Sequence, residues 1–337
     1  MAAFAGTGPV LRGVVTALPE TVSENRDLGA QFGEEAIAKI IAATGIERRP
    51  VSEAHTVSQL GAEAAQRLIE GLGWSADSIG LLIVVTQTPD YPLPSTACVL
   101  QHRLGLSSGT VCLDIGLGCS GYVYGLSVVS SLMQASGIAR ALLVTGDMTT
   151  RMIDEDNRAL KPLFGDAVSV TALESGEATL AVDLGSDGSG APYLISRTGG
   201  MAESGPARLF MDGTQVMAFT LKQVAPSIAR ALETAETTIE AMDHVVLHQA
   251  NALMLRTLGH KIKARDDQMV YAVRDYGNTS SASIPLALCD RFMTPDAAPT
   301  HDKPMRLLLC GFGVGWSWST AVWTTPVPDV IAIVRVP

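Results

Sequence analysis

The chain has 337 residues, of which 47% are hydrophobic and 17% are charged. This composition excludes a disordered protein and indicates a globular chain with one large domain or two medium ones. The formal net charge of −10 argues against nucleic acid as the main partner, because a phosphate backbone attracts a basic surface.

Targeting signals and cysteine usage indicate where the protein acts and which kinds of site it can contain. No apolar stretch reaches the length of a membrane span, so we expect no membrane association. The N-terminal residues lack the basic and apolar regions of a signal peptide, so we expect a cytoplasmic protein. The cysteines are too few and too scattered for a disulfide framework, and none forms the C-x-x-C pair of a structural zinc site. We therefore expect no metal site.

Strand-like and helix-like segments alternate along the N-terminal part, which predicts an α/β protein. A helix is predicted at 120–137, since small and apolar residues surround it on nearly all sides and Gly137 ends it. Strands are predicted at 80–89, 111–118, 141–147, 168–174 and 178–188. We expect the last two strands to pair around a turn at Ser175 and Gly176.

A segment rich in Gly, Ser and Pro, 185–206, is the best candidate boundary between two halves, 1–184 and 185–337. Beyond it, the pattern predicts a helix around 216–236, a strand at 244–248, a helix from Asn251, a strand, turn and helix over 271–293, and two strands joined by a glycine hairpin over 305–323. Each half therefore contains junctions between a strand and a helix with unusual residues, and two packed halves would bring those junctions face to face.

Cys119 lies in G-L-G-C-S-G, where a predicted strand ends and a helix begins. Free backbone N–H groups and the positive end of the helix dipole favour the thiolate there, and so are expected to lower the pKa of the thiol. The same N–H groups can bind an oxyanion. The pattern predicts a nucleophile, and the alternative is a buried structural cysteine in a tight turn.

Three further segments could contribute to catalysis. His248 follows a predicted strand, from which its ring can point into a cleft, although a core histidine is the alternative. Asn278 stands in G-N-T-S-S, where a turn residue or a helix cap is the alternative. The glycines of 311–315 either form an ordinary hairpin or bring backbone N–H groups close to a substrate oxygen.

These segments, taken in order, form a specific combination. The segments are L-G-C-S-G, V-L-H-Q-A-N, G-N-T-S-S-A-S-I-P and G-F-G-V-G-W, together with A-T-G-I-E-R-R, P-S-T-A-C and L-F-G-D-A. In them the chain resembles the β-ketoacyl-acyl-carrier-protein synthase III family of the thiolase superfamily. The resemblance covers nearly the whole chain. It implies the α/β, thiolase-like, duplicated five-layer αβαβα fold, and a homodimer.

The resemblance also implies the chemistry. Cys119 would be the nucleophile, with His248 and Asn278 as the other members of the triad, and the N–H groups of Cys119 and Gly313 would form the oxyanion hole. An acyl-CoA or acyl-carrier-protein thioester would acylate Cys119. A malonyl thioester would then lose CO₂ and condense with the acyl group. No cofactor is expected, because coenzyme A is part of a substrate. An acidic carrier protein would need a local basic patch on this acidic chain.

Four positions bear on substrate binding. Arg151 matches a basic residue at the family's coenzyme-A entrance, and Arg256 follows Leu253, which replaces the family's carrier-docking arginine. Leu93 stands where a bulky aromatic often limits the acyl length across the dimer, and Cys310 where Phe is common. Both changes could enlarge the acyl pocket, so we expect a donor longer than acetyl or a specialised pathway.

Four alternative functions stay open. An acyltransferase on the same scaffold would pass the acyl group to an alcohol or amine, and CO₂ release from a malonyl thioester distinguishes the two reactions. A thiolase would use Cys310 as a base, but the G-H-P motif is absent. A non-catalytic partner subunit would not need Cys, His and Asn together. A cysteine hydrolase would transfer the acyl group from Cys119 to water.

Overall fold

The computed structural model describes residues 2–294 and 303–337. Strands within these ranges are β1 (Ala2–Pro19), β2 (Val22–Glu24), β3 (Arg48–Pro50), β4 (Leu81–Val85), β5 (Val111–Ile115), β6 (Arg140–Asp147), β7 (Ala167–Ser186), β8 (Leu194–Ser196), β9 (Leu209–Met211), β10 (His244–Leu247), β11 (Met305–Gly313), β12 (Ser317–Thr325) and β13 (Val330–Val336). Helices are α1 (Gly29–Phe32), α2 (Glu34–Thr44), α3 (Val57–Leu72), α4 (Thr96–Arg103), α5 (Gly121–Ser136), α6 (Gly213–Thr234), α7 (Ala252–Ile262), α8 (Val273–Tyr276) and α9 (Ser283–Met293).

The long strands form two mixed sheets that share β1 and β7. The first sheet has the order β5-β4-β6-β7-β1-β13, and the second has the order β10-β11-β12-β7-β1. Strand β1 pairs with β7 through residues 2–8 and again through 10–17, with register shifts between Gly8 and Val10 and between Leu11 and Gly13. These two long strands therefore continue from one sheet into the other, with the ladder interrupted at the shifts.

Helices complete the five layers. Helices α5 and α9 lie between the sheets, because α5 contacts β4, β6, β11 and β12 while α9 contacts β1, β13, β10 and β11. Helices α3 and α4 cover the outer face of the first sheet. Helix α6, with α7 beside it, covers the outer face of the second sheet. This arrangement confirms the predicted thiolase-like αβαβα fold.

Small residues bring α5 close to the first sheet. A Cβ atom at Gly121 would lie 2.5 Å from Val85 Cγ1, and one at Gly125 would lie 2.7 Å from Leu143 Cδ1. A larger residue at either position would push the helix away from β4 and β6. The glycines thus place the N-terminus of α5, and the turn before it, directly at the end of the sheet.

Two predicted features are wrong. The turn at Ser175 and Gly176 is absent, because β7 continues through both residues as one strand. Pairing with β1 on both sides of this segment, at Glu174 and at Ala178, keeps it extended, and Gly176 leaves room for Val10, whose Cγ2 would lie 2.5 Å from a Cβ atom there. The strand predicted at the start of 271–293 is instead the short helix α8. The expected boundary between 184 and 185 lies within β7, and the division into two halves stays a prediction.

The other long elements agree with the sequence-based expectations. The predicted strands at 80–89, 111–118 and 141–147 correspond to β4, β5 and β6. The predicted hairpin over 305–323 is formed by β11 and β12. Within the two described ranges, the helices are all too short or too polar to span a lipid bilayer. The cytoplasmic location stays a prediction.

Candidate active site

A cavity of about 430 Å³ opens where the ends of both sheets meet. Cys119 from the first sheet, and His248, Asn278 and Gly313 from the second half, all line this cavity. The carboxyl ends of strands converge at such a point, so side chains far apart in the sequence become neighbours. The structure therefore brings together the residues that the sequence predicts to form the catalytic centre.

Cys119 lies in the turn between β5 and α5, with 8% of its surface exposed. Strand β11 passes directly beside it. A Cβ atom at Gly311 would lie 2.6 Å from the Cys119 carbonyl oxygen, and one at Gly313 would lie 3.2 Å from the Sγ atom. Because neither glycine has a side chain, the backbone of β11 can approach the thiol. This approach is what an oxyanion hole built from two backbone N–H groups requires.

Three serine hydroxyls hold the Cys119 turn against the glycine loop. The Ser317 hydroxyl donates to the Val314 carbonyl oxygen at 2.6 Å. Ser317 Oγ lies 2.7 Å from Ser120 Oγ, so the Ser120 hydroxyl donates to it. Ser319 donates to the Ser120 carbonyl oxygen at 2.9 Å. These bonds fix the residue after Cys119 to strand β12 and to the loop before it.

Burial favours the protonated thiol of Cys119. Together with a smaller effect of the nearby Asp147 carboxylate, it raises the pKa of Cys119 to about 12, while a hydrogen bond with Ser280 acts in the opposite direction. The net direction is opposite to the lowered pKa that the helix N-terminus alone predicts. Burial dominates because a thiolate loses its hydration in this cavity.

His248 follows β10 and is 2% exposed. Its Nδ1 atom lies 2.7 Å from Ser283 Oγ, and its ring packs edge-on against Phe312 at 5.5 Å between centroids. Burial lowers the pKa of His248 to about 3, so the imidazole is neutral at physiological pH. His248 lines the cavity, and since Nδ1 is held by Ser283, Nε2 is the ring nitrogen left to serve the cavity.

Asn278 is held by its backbone and by one side-chain atom. Its N–H donates to the Leu163 carbonyl oxygen at 2.9 Å, and its own carbonyl oxygen accepts from Gly165 N at 3.0 Å. Asn278 Oδ1 accepts from Ser280 N at 2.9 Å. Since the amide oxygen is already hydrogen-bonded, Nδ2 is the side-chain atom that can bind a group in the cavity, and it can only donate a hydrogen bond.

The sequence analysis missed Asp147, a carboxylate that also lines the cavity. It ends β6 and is 1% exposed. Its Oδ1 accepts from Gln87 N at 2.6 Å and Thr86 Oγ1 at 3.1 Å, and its Oδ2 accepts from Ser281 Oγ at 2.9 Å. Burial raises the pKa of Asp147, while these donors stabilise its ionised form. A polar residue directly after the apolar run A-L-L-V-T-G could have indicated it.

Two predicted substrate-binding residues lie outside the cavity lining. Arg151 donates to the backbone carbonyl oxygens of Ser52, at 3.2 Å, and of His55. Its chain neighbours Thr149 and Met152 do line the cavity, so Arg151 stands beside its edge. Arg256 is exposed on α7.

The two positions expected to control acyl length also lie elsewhere in this single chain. Leu93 is 82% exposed, in the loop before α4. Cys310 is fully buried in the core of the second half, where its Sγ accepts from Thr320 Oγ1 at 3.2 Å. Burial raises the pKa of Cys310 to about 12, and the Thr320 hydrogen bond acts in the opposite direction. Neither residue is brought to the cavity wall.

Apolar residues form one wall of the cavity. Strands β8 and β9 make a two-stranded ribbon that contributes Leu194, Ile195, Leu209 and Met211, and α6 adds Val216 and Met217 beside it. The segment that the sequence marks as a boundary therefore builds part of the site. Across residues 2–294 and 303–337, no cluster of three His, Cys, Asp or Glu side chains could hold a metal ion.

Family models match both halves of the chain. The model described as 3-oxoacyl-[acyl-carrier-protein (ACP)] synthase III matches residues 113–188, and its C-terminal counterpart matches residues 232–325. The β-ketoacyl-[acyl-carrier-protein] synthase III of Geobacillus kaustophilus is 32% identical, covering 92% of this chain and 97% of the relative.

Solved structures agree with this match. A 3-oxoacyl-(acyl-carrier protein) synthase from Burkholderia xenovorans LB400 superposes with a TM-score of 0.93 at 36% identity, covering 99% of both chains. The priming β-ketosynthase of the R1128 polyketide biosynthetic pathway superposes with a TM-score of 0.86 at 27% identity, covering 97% of this chain and 99% of that one.

Proposed function

Because the chain belongs to the 3-oxoacyl-acyl-carrier-protein synthase III family, we propose that it condenses an acyl thioester with a malonyl thioester by decarboxylation, using Cys119 as the acyl carrier. The observation that supports this most directly is the convergence of Cys119, His248, Asn278 and Gly313 on one cavity. The product would be a 3-oxoacyl thioester for fatty acid or specialised biosynthesis.

The first step is acylation of Cys119. The sulfur attacks the thioester carbonyl carbon, a new C–S bond forms, and the C–S bond to the leaving thiol breaks. The negative charge on the carbonyl oxygen is stabilised by the N–H groups of Cys119 and Gly313. The proton of the Cys119 thiol ends on the departing thiol, so the step is balanced without an external acid or base.

The second step is decarboxylation of the malonyl thioester. The bond to the carboxylate carbon breaks, CO₂ leaves, and the electron pair moves into a thioester enolate. The enolate oxygen accepts hydrogen bonds from the two cavity donors, His248 Nε2 and Asn278 Nδ2. The enolate carbon attacks the acyl carbonyl carbon on Cys119, the C–S bond breaks, and the released thiolate takes up one proton from solvent.

The apolar wall supports a donor with an acyl chain longer than acetyl. The β8–β9 ribbon and α6 present aliphatic and thioether side chains to the cavity, such as Leu194, Leu209 and Met217. Each methylene buried there adds about 0.8 kcal/mol to binding. The hypothesis that Leu93 influences the chain length stays part of this proposal, with Leu93 acting from a partner copy. Cys310 lies outside the cavity lining and does not add support.

We propose a homodimer formed along β5. This strand lies at the edge of the first sheet, so one row of its backbone N–H and C=O groups is open to a second strand. Val111 at its start is 47% exposed, and Tyr91 and Leu93 in the nearby loop are 56% and 82% exposed. An exposed edge strand with apolar neighbours is a suitable interface for a second copy.

An acyl carrier protein is the proposed macromolecular partner. Exposed Arg256 on α7 and Lys263 at its C-terminal end provide positive charge on a chain whose formal net charge is −10. Such a local basic patch could orient an acidic carrier toward the cavity. Arg151, beside the cavity edge, would meet the phosphate-bearing arm of the substrate.

Intact-protein mass spectrometry tests the covalent step. The enzyme is mixed with acyl-CoA thioesters of increasing chain length, and then with the same acyl groups on a carrier protein. Cys119→Ala is compared with Cys98→Ala, which removes an exposed thiol outside the cavity. We expect an acyl mass on wild type and Cys98→Ala, and none on Cys119→Ala.

Release of CO₂ from a malonyl thioester by the acylated enzyme tests the condensation. Acylation without CO₂ release, followed by transfer to an alcohol or amine, would support an acyltransferase instead. Absence of any adduct with both donor classes would contradict the proposed function.

A further inference from the structure

Ser283 is the first residue of α9 and lies behind the catalytic histidine. Its Oγ atom is 2.7 Å from His248 Nδ1, and Gln249 N–H donates to the same oxygen at 3.4 Å. Ser283 is 1% exposed, so water does not compete for its hydroxyl group. Which of the two residues donates the hydrogen bond between Ser283 and His248 can therefore be worked out from the hydrogen-bond partners of Ser283 Oγ.

The hydroxyl hydrogen of Ser283 needs an acceptor because the residue is buried. Among the residues that the structure describes, Ser283 Oγ has two hydrogen-bond neighbours, Gln249 N–H and His248 Nδ1. Gln249 N–H can only donate. Ser283 must therefore donate to Nδ1, and the single hydrogen of the neutral imidazole resides on Nε2.

We propose that Ser283 is a positioning residue that locks His248 in the Nε2–H tautomer and so restricts the site to decarboxylating condensation. This inference rests on the proposed function and deepens it. With hydrogen on Nε2, the ring edge facing the cavity is a donor without a free lone pair. The cavity then presents His248 Nε2–H and Asn278 Nδ2–H to a thioester oxygen, which is what an enolate requires.

The same lock disfavours the competing reactions. Transfer of the acyl group to an alcohol or amine, or its hydrolysis, requires a base that removes a proton from the attacking group. His248 cannot accept a proton at Nε2 while Ser283 occupies Nδ1. A malonyl thioester needs no such base, because loss of CO₂ leaves its electron pair on carbon. Ser283 thereby selects a carbon acceptor over an oxygen or nitrogen acceptor.

Nuclear magnetic resonance of enzyme containing ¹⁵N-labelled histidine measures the tautomer directly. The His248 signals are identified as those lost in His248→Gln. We expect a protonated Nε2 and an unprotonated Nδ1 in wild type, a loss of this preference in Ser283→Ala, and its recovery in Ser283→Thr, which keeps the hydroxyl group. Hydrogen on Nδ1 in wild type, or an unchanged spectrum in Ser283→Ala, would overturn the proposal.

Kinetics of the two half-reactions separate a positioning role from a structural one. We expect Ser283→Ala to lower the rate of CO₂ release by about ten- to a hundredfold, since a wrong tautomer removes a donor to the enolate, while the KM for the malonyl thioester changes little. Acylation of Cys119 should stay within about threefold, because the oxyanion hole is intact. Ser283→Thr should restore CO₂ release.

Ser127→Ala is the matched control, since Ser127 is also a buried serine, and its hydroxyl donates to Val123 O within α5. Equal losses in both half-reactions of Ser283→Ala would mean a structural role and would overturn the proposal. Wild type that releases no CO₂ would overturn the proposed function instead, and the tautomer would still be decided by the spectrum.

Discussion

Gly313 lies so close to Cys119 that a Cβ atom on it would come within 2.9 Å of the cysteine Cβ and 3.2 Å of Sγ. Contacts this short require one group to move. Cys119, the proposed nucleophile, is thus enclosed by the backbone of β11. Under the proposed function, acylation of Cys119 would depend on the absence of a side chain at Gly313 as well as on the thiol itself.

Gly313→Ala is therefore expected to lower the rate of Cys119 acylation by about a hundredfold, because the methyl group displaces either the thiol or the second oxyanion donor. Mass spectrometry of the acyl-enzyme against time gives the rate. Gly116→Ala is the control, since a Cβ atom there meets no atom within 4 Å. Acylation of Gly313→Ala at the wild-type rate would contradict the role of this glycine.

Asp147→Asn should make Cys119 more reactive in the absence of substrate. Burial raises the pKa of the thiol, and the Asp147 carboxylate adds to this because its negative charge disfavours a thiolate. Removing the charge increases the thiolate fraction, so alkylation by iodoacetamide at about pH 8 should be roughly tenfold faster, which corresponds to one pKa unit.

Asp166→Asn provides the control for that experiment. Asp166 is also a buried carboxylate that accepts hydrogen bonds from a loop, from Ser52 N at 2.9 Å and Thr150 N at 3.0 Å, but it lies outside the cavity lining. Faster alkylation of Cys119 in both variants would point to general loosening of the structure. Unchanged alkylation in Asp147→Asn would show that its carboxylate does not act on the thiol.

The buried neutral His248 should make folding stability depend on pH. Burial lowers the pKa of His248 to about 3 in the folded state, whereas an unfolded chain restores about 6.5. Below about pH 6.5 the unfolded state binds the extra proton, so stability falls as the pH falls toward 3. Between about pH 7.5 and 5, this histidine should remove about 2 kcal/mol of unfolding free energy.

Urea denaturation gives the unfolding free energy of wild type and of His248→Gln at both pH values. The contribution of His248 is the loss of unfolding free energy on acidification in wild type minus the loss in the variant. The loss on acidification should be smaller in His248→Gln, because the residue that gains the proton is gone. His260→Gln removes an exposed imidazole from α7 and serves as the control. Equal losses in wild type and His248→Gln would contradict a buried, neutral His248.

The ion pair between Arg230 and Asp183 should be a major determinant of stability. Two parallel hydrogen bonds of 2.8 Å join them, and the Asp183 side chain is fully buried. Arg230→Met should lower the unfolding free energy by about 3 kcal/mol, because it leaves a buried carboxylate without its partner.

Lys39→Met is the comparison, since Lys39 and Glu35 form an exposed pair on α2 with side chains 75% and 85% exposed. This variant should change stability by less than about 1 kcal/mol. Similar losses in Arg230→Met and Lys39→Met would mean that the burial of Asp183 carries no energetic penalty. Denaturant titration at one pH measures both.

The sequence allowed the prediction of residues that stand at ends of strands. Cys119 and His248 each follow an apolar run, and the fold brings such positions to one edge, so pattern and resemblance together placed them in one cavity. The pattern singled out the glycines of 311–315 as a group, and the resemblance selected Gly313 among them. The catalytic roles of these residues stay predictions until the acylation and condensation experiments are done.

What could not be predicted depends on contacts between distant segments. Ser283 looks like any helix-starting serine until α9 is placed behind His248. The Ser175-Gly176 segment looks like a turn, because serine and glycine between two strand-like runs are typical of one, but β1 pairs with β7 on both sides of it and keeps it extended. The pKa of Cys119 was misjudged because a local helix dipole can be read from sequence, whereas the depth of burial cannot.

The sharing of β1 and β7 by both sheets limits how a substrate can enter. A clamshell motion of the two halves would have to break strand hydrogen bonds along both of these long strands at once. We therefore expect Cys119 and the residues that face it from β10, β11 and Asn278 to keep their alignment when substrate binds. The β8–β9 ribbon is the part of the cavity wall least tied to the sheets, since its two strands of three residues pair only with each other within the described chain, so we expect local displacement of this ribbon to admit a long acyl chain.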